Sequence, residues 1–101
     1  MFGDMMGKLQ EMKQKMEEIK KRLETITVEA EAGDGAITVT ANGNKKIVNV
    51  NINEEIAKGD KEELEDLLLV AINRALEKAE KVNEAEMQGA ASGFLPPEMG
   101  G

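Results

Sequence analysis

Residues 26–53 read ITVEAEAGDGAITVTANGNKKIVNVNIN, and the fold follows from this stretch. Ile26, Val28 and Ala30 alternate with polar residues, as do Ile37, Val39 and Ala41, and then Val48, Val50 and Ile52. A period of two places every apolar member of a run on one face of a strand. Asp34-Gly35 and Asn42-Gly43 stand between the runs, and such pairs tolerate the positive φ angles of type I′ hairpin turns. The reading is an antiparallel three-stranded meander with one apolar and one polar face. A sheet this small needs its apolar face covered. The segments before and after it are the available cover, together with a second copy of the chain.

The preceding segment is helical from about Asp4 to Glu24. Met5, Leu9, Met12, Met16, Ile19, Leu23 and Ile26 alternate spacings of four and three. That is a heptad seam, with Leu9, Met16 and Leu23 at a and the others at d. Its methionines make the packing adaptable. Lys8, Lys15 and Arg22 fall at g, Lys13 and Lys20 at e, while Asp4, Glu11, Glu17, Glu18 and Glu24 fall at b and c. Parallel self-pairing would set Lys15 against Lys20 of the partner, a like-charge contact. The helix therefore calls for something acidic beside it, either the C-terminal helix or a phosphate backbone.

After the strands, Asn53 to Gly59 reads as one helical turn and a break. Asp60, with Glu63 three residues on, starts the final helix in the manner of a capping box. Leu64, Leu67, Leu68, Ala71, Ile72, Ala75, Leu76 and Ala79 form a wide apolar stripe. From Leu67 to Ile72 the helix is apolar nearly all round, so burial on more than one side is expected, which argues for a dimer. Past Ala79 the stripe thins to Val82, Ala85 and Met87, an end expected to project. Residues 1–88 are read as one domain and 89–101 as a flexible tail, rich in Gly, Pro and small residues. Phe94 and Leu95 in that tail could tuck back or mark a partner site.

The polar face of the sheet carries Thr27, Glu29, Glu31, Thr38, Thr40, Asn49 and Asn51 and is expected in solvent or against another subunit. Ile47 is out of phase with the residues after it and is expected on that second face or at a subunit contact. Lys45 and Lys46 follow the second turn.

The 101 residues include no Cys, His, Trp or Tyr, two Phe, and a net charge of −7. Without His or Cys, the usual general base, metal ligand and thiolate nucleophile are missing. Carboxylates occur at helical surface spacing and no calcium-loop pattern is present. The expectation is therefore no enzyme, no catalytic residue, no metal, no cofactor and no small-molecule substrate. No apolar run reaches the ~20 residues that span a bilayer. The N-terminus is unlike a signal peptide, so a cytoplasmic protein is expected. Charge is polarised: residues 1–24 hold six basic and five acidic side chains, residues 54–101 five basic and twelve acidic. With no aromatic platform for bases, any nucleic-acid contact would go to phosphates.

KLQEMKQKMEEIKKRLE from Lys8, AGDGAITVTANGNKKIVNVNIN from Ala32 and DKEELEDLLLVAINRALEKAE from Asp60 together resemble the YbaB/EbfC nucleoid-associated DNA-binding proteins of bacteria, and Leu95-Pro96-Pro97 is similar to that family's tail. The likeness spans essentially the whole chain. It implies an α+β fold of helix, three-stranded antiparallel meander and long helix (α-β-β-β-α), assembled as a tweezer-like homodimer that holds duplex DNA. It further implies a role in chromosome organisation and gene regulation, in the nucleoid. Carried over by position, the DNA-binding candidates are Lys8, Lys13, Lys15, Lys20, Lys21 and Arg22, with Lys78 and Lys81 as lesser ones. The sequence departs from the family at Asn53-Glu54, where Asp-Pro is common, and in its acidic C-terminal helix. The alternative is a helix-presenting dimeric interaction module, without direct DNA binding, whose seam receives a partner helix.

Overall fold

A computed structural model of the chain describes residues 2–92, with side chains placed over 5–90. The elements are α1 (Phe2–Thr25), β1 (Thr27–Ala32), β2 (Ile37–Asn42), β3 (Ile47–Ile52), α2 (Glu54–Lys58) and α3 (Lys61–Ser92). This is the expected α-β-β-β-α order. The strands form one antiparallel sheet in the order β1-β2-β3. Ala30 faces Val39, Ala32 faces Ile37, Val39 faces Val50 and Ile37 faces Ile52. Cross-strand partners share a face, so these side chains make one apolar surface.

α3 lies on that surface. Ala71, Ala75 and Ala79, spaced by four, form a stripe of small side chains that lets the helix approach the strands closely. All three are fully buried, together with Ile37, Val39 and Ala41 of β2. Leu64, Leu67, Leu68 and Ile72 close the flanks of this contact.

The first turn is as expected: Asp34 and Gly35 have φ of 57° and 86°, and Ala36 N–H donates to the Gly33 carbonyl at 3.2 Å. The second turn differs. Gly43 is absent from the positive-φ residues, and Lys45 takes the left-handed conformation at φ 64°. Lys45 N–H donates to the Asn42 carbonyl, and Asn42 N–H to the Lys46 carbonyl. The result is a three-residue loop, in which a turn is followed by a left-handed residue. The Asn42 side chain holds it, accepting from the N–H groups of Asn44 (2.9 Å) and Lys46 (3.2 Å).

A register shift explains Ile47. Thr40 pairs with Asn49, but Ala41 pairs with Ile47. Val48 is therefore the extra residue of a β-bulge, and the bulge returns Ile47 to the face of Ala41.

α2 begins on Asn53, whose Oδ1 accepts from Glu55 N–H at 3.0 Å. α3 begins after Asp60, whose Oδ1 accepts from Glu62 N–H. The Asp60 cap stands where the sequence places it. The far end of α3 does not: the helix runs on to Ser92, so Gly89–Ser92 are helical rather than the start of a tail. Residues 93–101, including Phe94 and Leu95, lie outside the described residues.

One side of the sheet stays bare. A helix is about 10 Å across and strands sit about 4.8 Å apart, so one helix covers two strands. α3 covers β1 and β2 and leaves most of β3 outside, with Ile52 at its end packed against the core. Val48 and Val50 are 53% and 41% exposed, and Leu69 and Val70 of α3 are 60% and 40% exposed. The two-sided burial expected for Leu67–Ile72 is thus not met within one chain.

Candidate nucleic-acid interface

The candidate residues sit on an arm, and the arm is anchored at Gly43. Its N–H is shared between the Leu23 and Ile26 carbonyls, both at 2.9 Å, at the end of α1. Its own carbonyl accepts from the Asn83 side chain of α3 at 3.0 Å. A Cβ at this position would lie 2.6 Å from Leu23 Cδ2 and 3.0 Å from the Leu23 carbonyl oxygen. Only glycine allows β2 to come this close to α1. Asn44 adds a bond from its amide to the Lys20 carbonyl at 2.9 Å. Glycine at position 43 therefore serves close approach, whereas the sequence suggested a turn angle.

From this anchor both helices leave the sheet together. α3 contacts Glu31 through Arg74, Glu29 through Lys78, and Gly43 through Asn83. It therefore runs against the direction of β1 and passes beyond the start of that strand. There Arg22 of α1 pairs with Glu86 of α3. The end of α3, expected to project and grip little, is in fact the support on which α1 is laid: Val82, Asn83, Glu86, Met87 and Ala90 are all half-buried.

The two helices have unequal reach. At 1.5 Å per residue, α3 extends about 14 Å beyond Asn83 and α1 about 32 Å beyond Leu23. Counting from the Arg22–Glu86 pair, the last turn of α3 falls level with about Met16. The heptad seam records this directly. Leu23 is fully buried and Ile19 is 6% exposed, while Met16 is 41%, Met12 45%, Leu9 63% and Met5 66% exposed. The molecule is accordingly long and thin, 66 × 27 × 18 Å.

Lys8, Lys13, Lys15, Lys20 and Lys21 are exposed along α1. They span roughly 20 Å of helix. Arg22 is also exposed but engaged with Glu86. Lys78 stands apart from the arm, its Nζ donating to the Glu29 carbonyl at 2.7 Å. Lys81 is exposed on α3. The structure thus brings the α1 lysines together on one rod and places Lys78 over the sheet. Gly43, Asn44 and Asn83 were not singled out as arm-holding residues from sequence. Their partners lie 17 to 40 positions away, and no local pattern announces them. An open groove of about 500 Å³ between the second turn and α3 is lined by Lys45, Asn73, Leu76, Glu77 and Glu80.

A small α+β protein with a lysine-bearing two-helix arm is what this geometry defines. Residues 1–94 match the model of the YbaB/EbfC DNA-binding family, and the chain belongs to that family. It is 41% identical to a nucleoid-associated protein of Flavobacterium johnsoniae, over 91% of this chain and 86% of that one. It is 40% identical to a nucleoid-associated protein of Chlorobaculum tepidum, over 95% of this chain and 86% of that one. In fold it is similar to the crystal structure of an uncharacterized protein from Helicobacter pylori. That match has a TM-score of 0.77 at 22% identity and covers 95% of this chain and 98% of the other. Among the described residues no helix is long and apolar enough to cross a membrane, and no cluster of carboxylates could hold a metal ion.

Proposed function

We propose that the protein is a non-enzymatic, nucleoid-associated protein of the cytoplasm that binds duplex DNA through phosphate contacts, largely without sequence preference. The observation that carries this reading is the row of exposed lysines on an arm that overhangs the body, in a chain of a DNA-binding family. Lysines make point-charge contacts to phosphates and read no base edge. The contact set is Lys8, Lys13, Lys15, Lys20 and Lys21. Arg22, Lys78 and Lys81 play lesser parts.

The working unit is a homodimer. β3 is the sheet's outer strand, and Val48 and Val50 on it, like Leu69 and Val70 on α3, are exposed apolar side chains that a second copy would cover. A second copy seated there would direct two arms outward, with DNA between them. The acidic body keeps the duplex on the arms by repulsion. The role that follows is chromosome organisation with an influence on gene expression.

An electrophoretic mobility shift over a salt series tests this. Ten phosphate contacts, five from each arm, would lose about a hundred-thousandfold in affinity between 50 and 200 mM salt. Replacing Lys13, Lys15 and Lys20 by Glu abolishes the shift if the reading is right. A shift that survives this replacement, or none at low salt, sinks it.

A further inference from the structure

α1 is one continuous heptad seam that is occupied over half its length. At the C-terminal half, Ile19 and Leu23 are buried and Arg22, at a g position, pairs with Glu86 of α3. An acidic helix running antiparallel is therefore the cover this seam already accepts. The N-terminal half repeats the pattern: Met5, Leu9, Met12 and Met16 at a and d, flanked by Lys8 and Lys15 at g and Lys13 at e. Its cover stops with α3, and the four apolar side chains are 41–66% exposed. Met6, Leu9, Gln10 and Lys13 line a shallow groove there.

We propose that residues 5–16 of α1 are a docking site for an acidic amphipathic helix of another protein, apolar at a and d with Glu or Asp at e and g, seated end-on to α3. Charge selects this occupant. Parallel pairing with a second α1 would oppose g to e, and antiparallel pairing would oppose g to g and e to e. All of these positions are basic between Lys8 and Arg22, so self-association through the seam is disfavoured in either direction. A lipid surface fits poorly as well. The apolar stripe is a narrow a/d seam rather than a broad face, and Glu11, Glu17 and Glu18 on the outer side would repel anionic headgroups. The methionines let the seam adapt to its partner. Because Lys8, Lys13 and Lys15 also belong to the DNA contact set, the docked helix and DNA exclude one another on this arm.

The probe is a synthetic helical peptide of about three heptads, with Leu at a and d and Glu at e and g. It is titrated into the full chain labelled with ¹³C at the methionine methyls. The expected result is saturable movement of the Met5, Met12 and Met16 resonances with Met87 unchanged, and displacement of DNA by the peptide. Leu9→Gln combined with Met12→Gln weakens peptide binding at least about tenfold, since each buried apolar side chain contributes more than a kilocalorie per mole. Circular dichroism of this variant stays unchanged, because both positions are exposed. The same variant retains DNA binding, so failure here is distinguishable from failure of the DNA reading. Several outcomes overturn the proposal: no movement at millimolar peptide, equal binding of a peptide with Lys at e and g, or phosphatidylserine vesicles binding in its place. So do mass growth with concentration that the double variant abolishes, and methyl positions that shift when residues 93–101 are deleted, which would make the chain's own end the occupant.

Discussion

The two edges of the sheet have been treated in opposite ways. β1 lies under α3, and the carbonyls of Glu29 and Glu31 are taken by Lys78 (2.7 Å) and Arg74 (2.9 Å). An edge whose acceptors are already occupied offers little to another strand. β3 lies beyond the width of α3, carries a bulge, and leaves Val48 and Val50 exposed. One helix can finish only one side of a three-stranded sheet. The unfinished side is where a second copy has something to gain.

The largest expected effect lies between the two edges, at the anchor of the arm. Gly43→Ala forces a methyl against Leu23, which is fully buried and cannot swing away. Overpacking of this kind costs about 1–3 kcal/mol and occasionally more. The melting temperature should fall by roughly 10 °C, with α1 loosened first. Hydrogen exchange would report the loss of protection at Leu23 and Ile26; an unchanged melt breaks the argument for close approach.

Next comes the cross-strand pair that spans the boundary. Val39 is fully buried and its partner Val50 is 41% exposed, though both point to the same face. Val39→Ala should cost about 2 kcal/mol at any protein concentration. Val50→Ala should cost less than about 1 kcal/mol at low concentration, and more at high concentration if the proposed dimer forms there. Two equal, concentration-independent losses would erase the difference between the edges. Val50→Lys sharpens the same point. By sedimentation it should yield a folded species at the chain mass of 11.0 kDa, against twice that for the proposed dimer of the unaltered chain.

The smallest effects belong to the edge caps. Arg74→Met and Lys78→Met each remove one charge-assisted bond from an exposed side chain to a carbonyl, about 1 kcal/mol or less. Their sharper consequence is in assembly. The double variant uncaps β1 and should show slow, salt-insensitive aggregation by light scattering, which the single variants lack.

Much of this was legible in the chain. Three period-two runs announced three strands, Asp34-Gly35 the first turn, Asn53 and Asp60 the helix starts, and a four-three repeat the seam of α1. The lysines of the candidate interface were equally visible, since charged side chains stay at the surface. Three readings needed the third dimension. Asn42-Gly43 looked like a turn signal, yet the glycine is demanded by Leu23, 20 residues away. Ile47 looked misplaced until the bulge at Val48 restored its phase. The end of α3 looked idle because its apolar stripe thins after Ala79, but Glu86 pairs there with Arg22 of α1 and the Asn83 side chain holds the Gly43 carbonyl.

By itself, then, the amino-acid order determined the elements, their apolar faces and the basic flanks of α1. Periodicity, capping and turn chemistry act within a few residues and are written locally. Tertiary structure alone decided which parts of those faces are covered. Coverage depends on how far α3 outlasts the sheet, how far α1 outlasts α3 and how wide one helix is against three strands, and none of those comparisons exists until distant segments lie side by side.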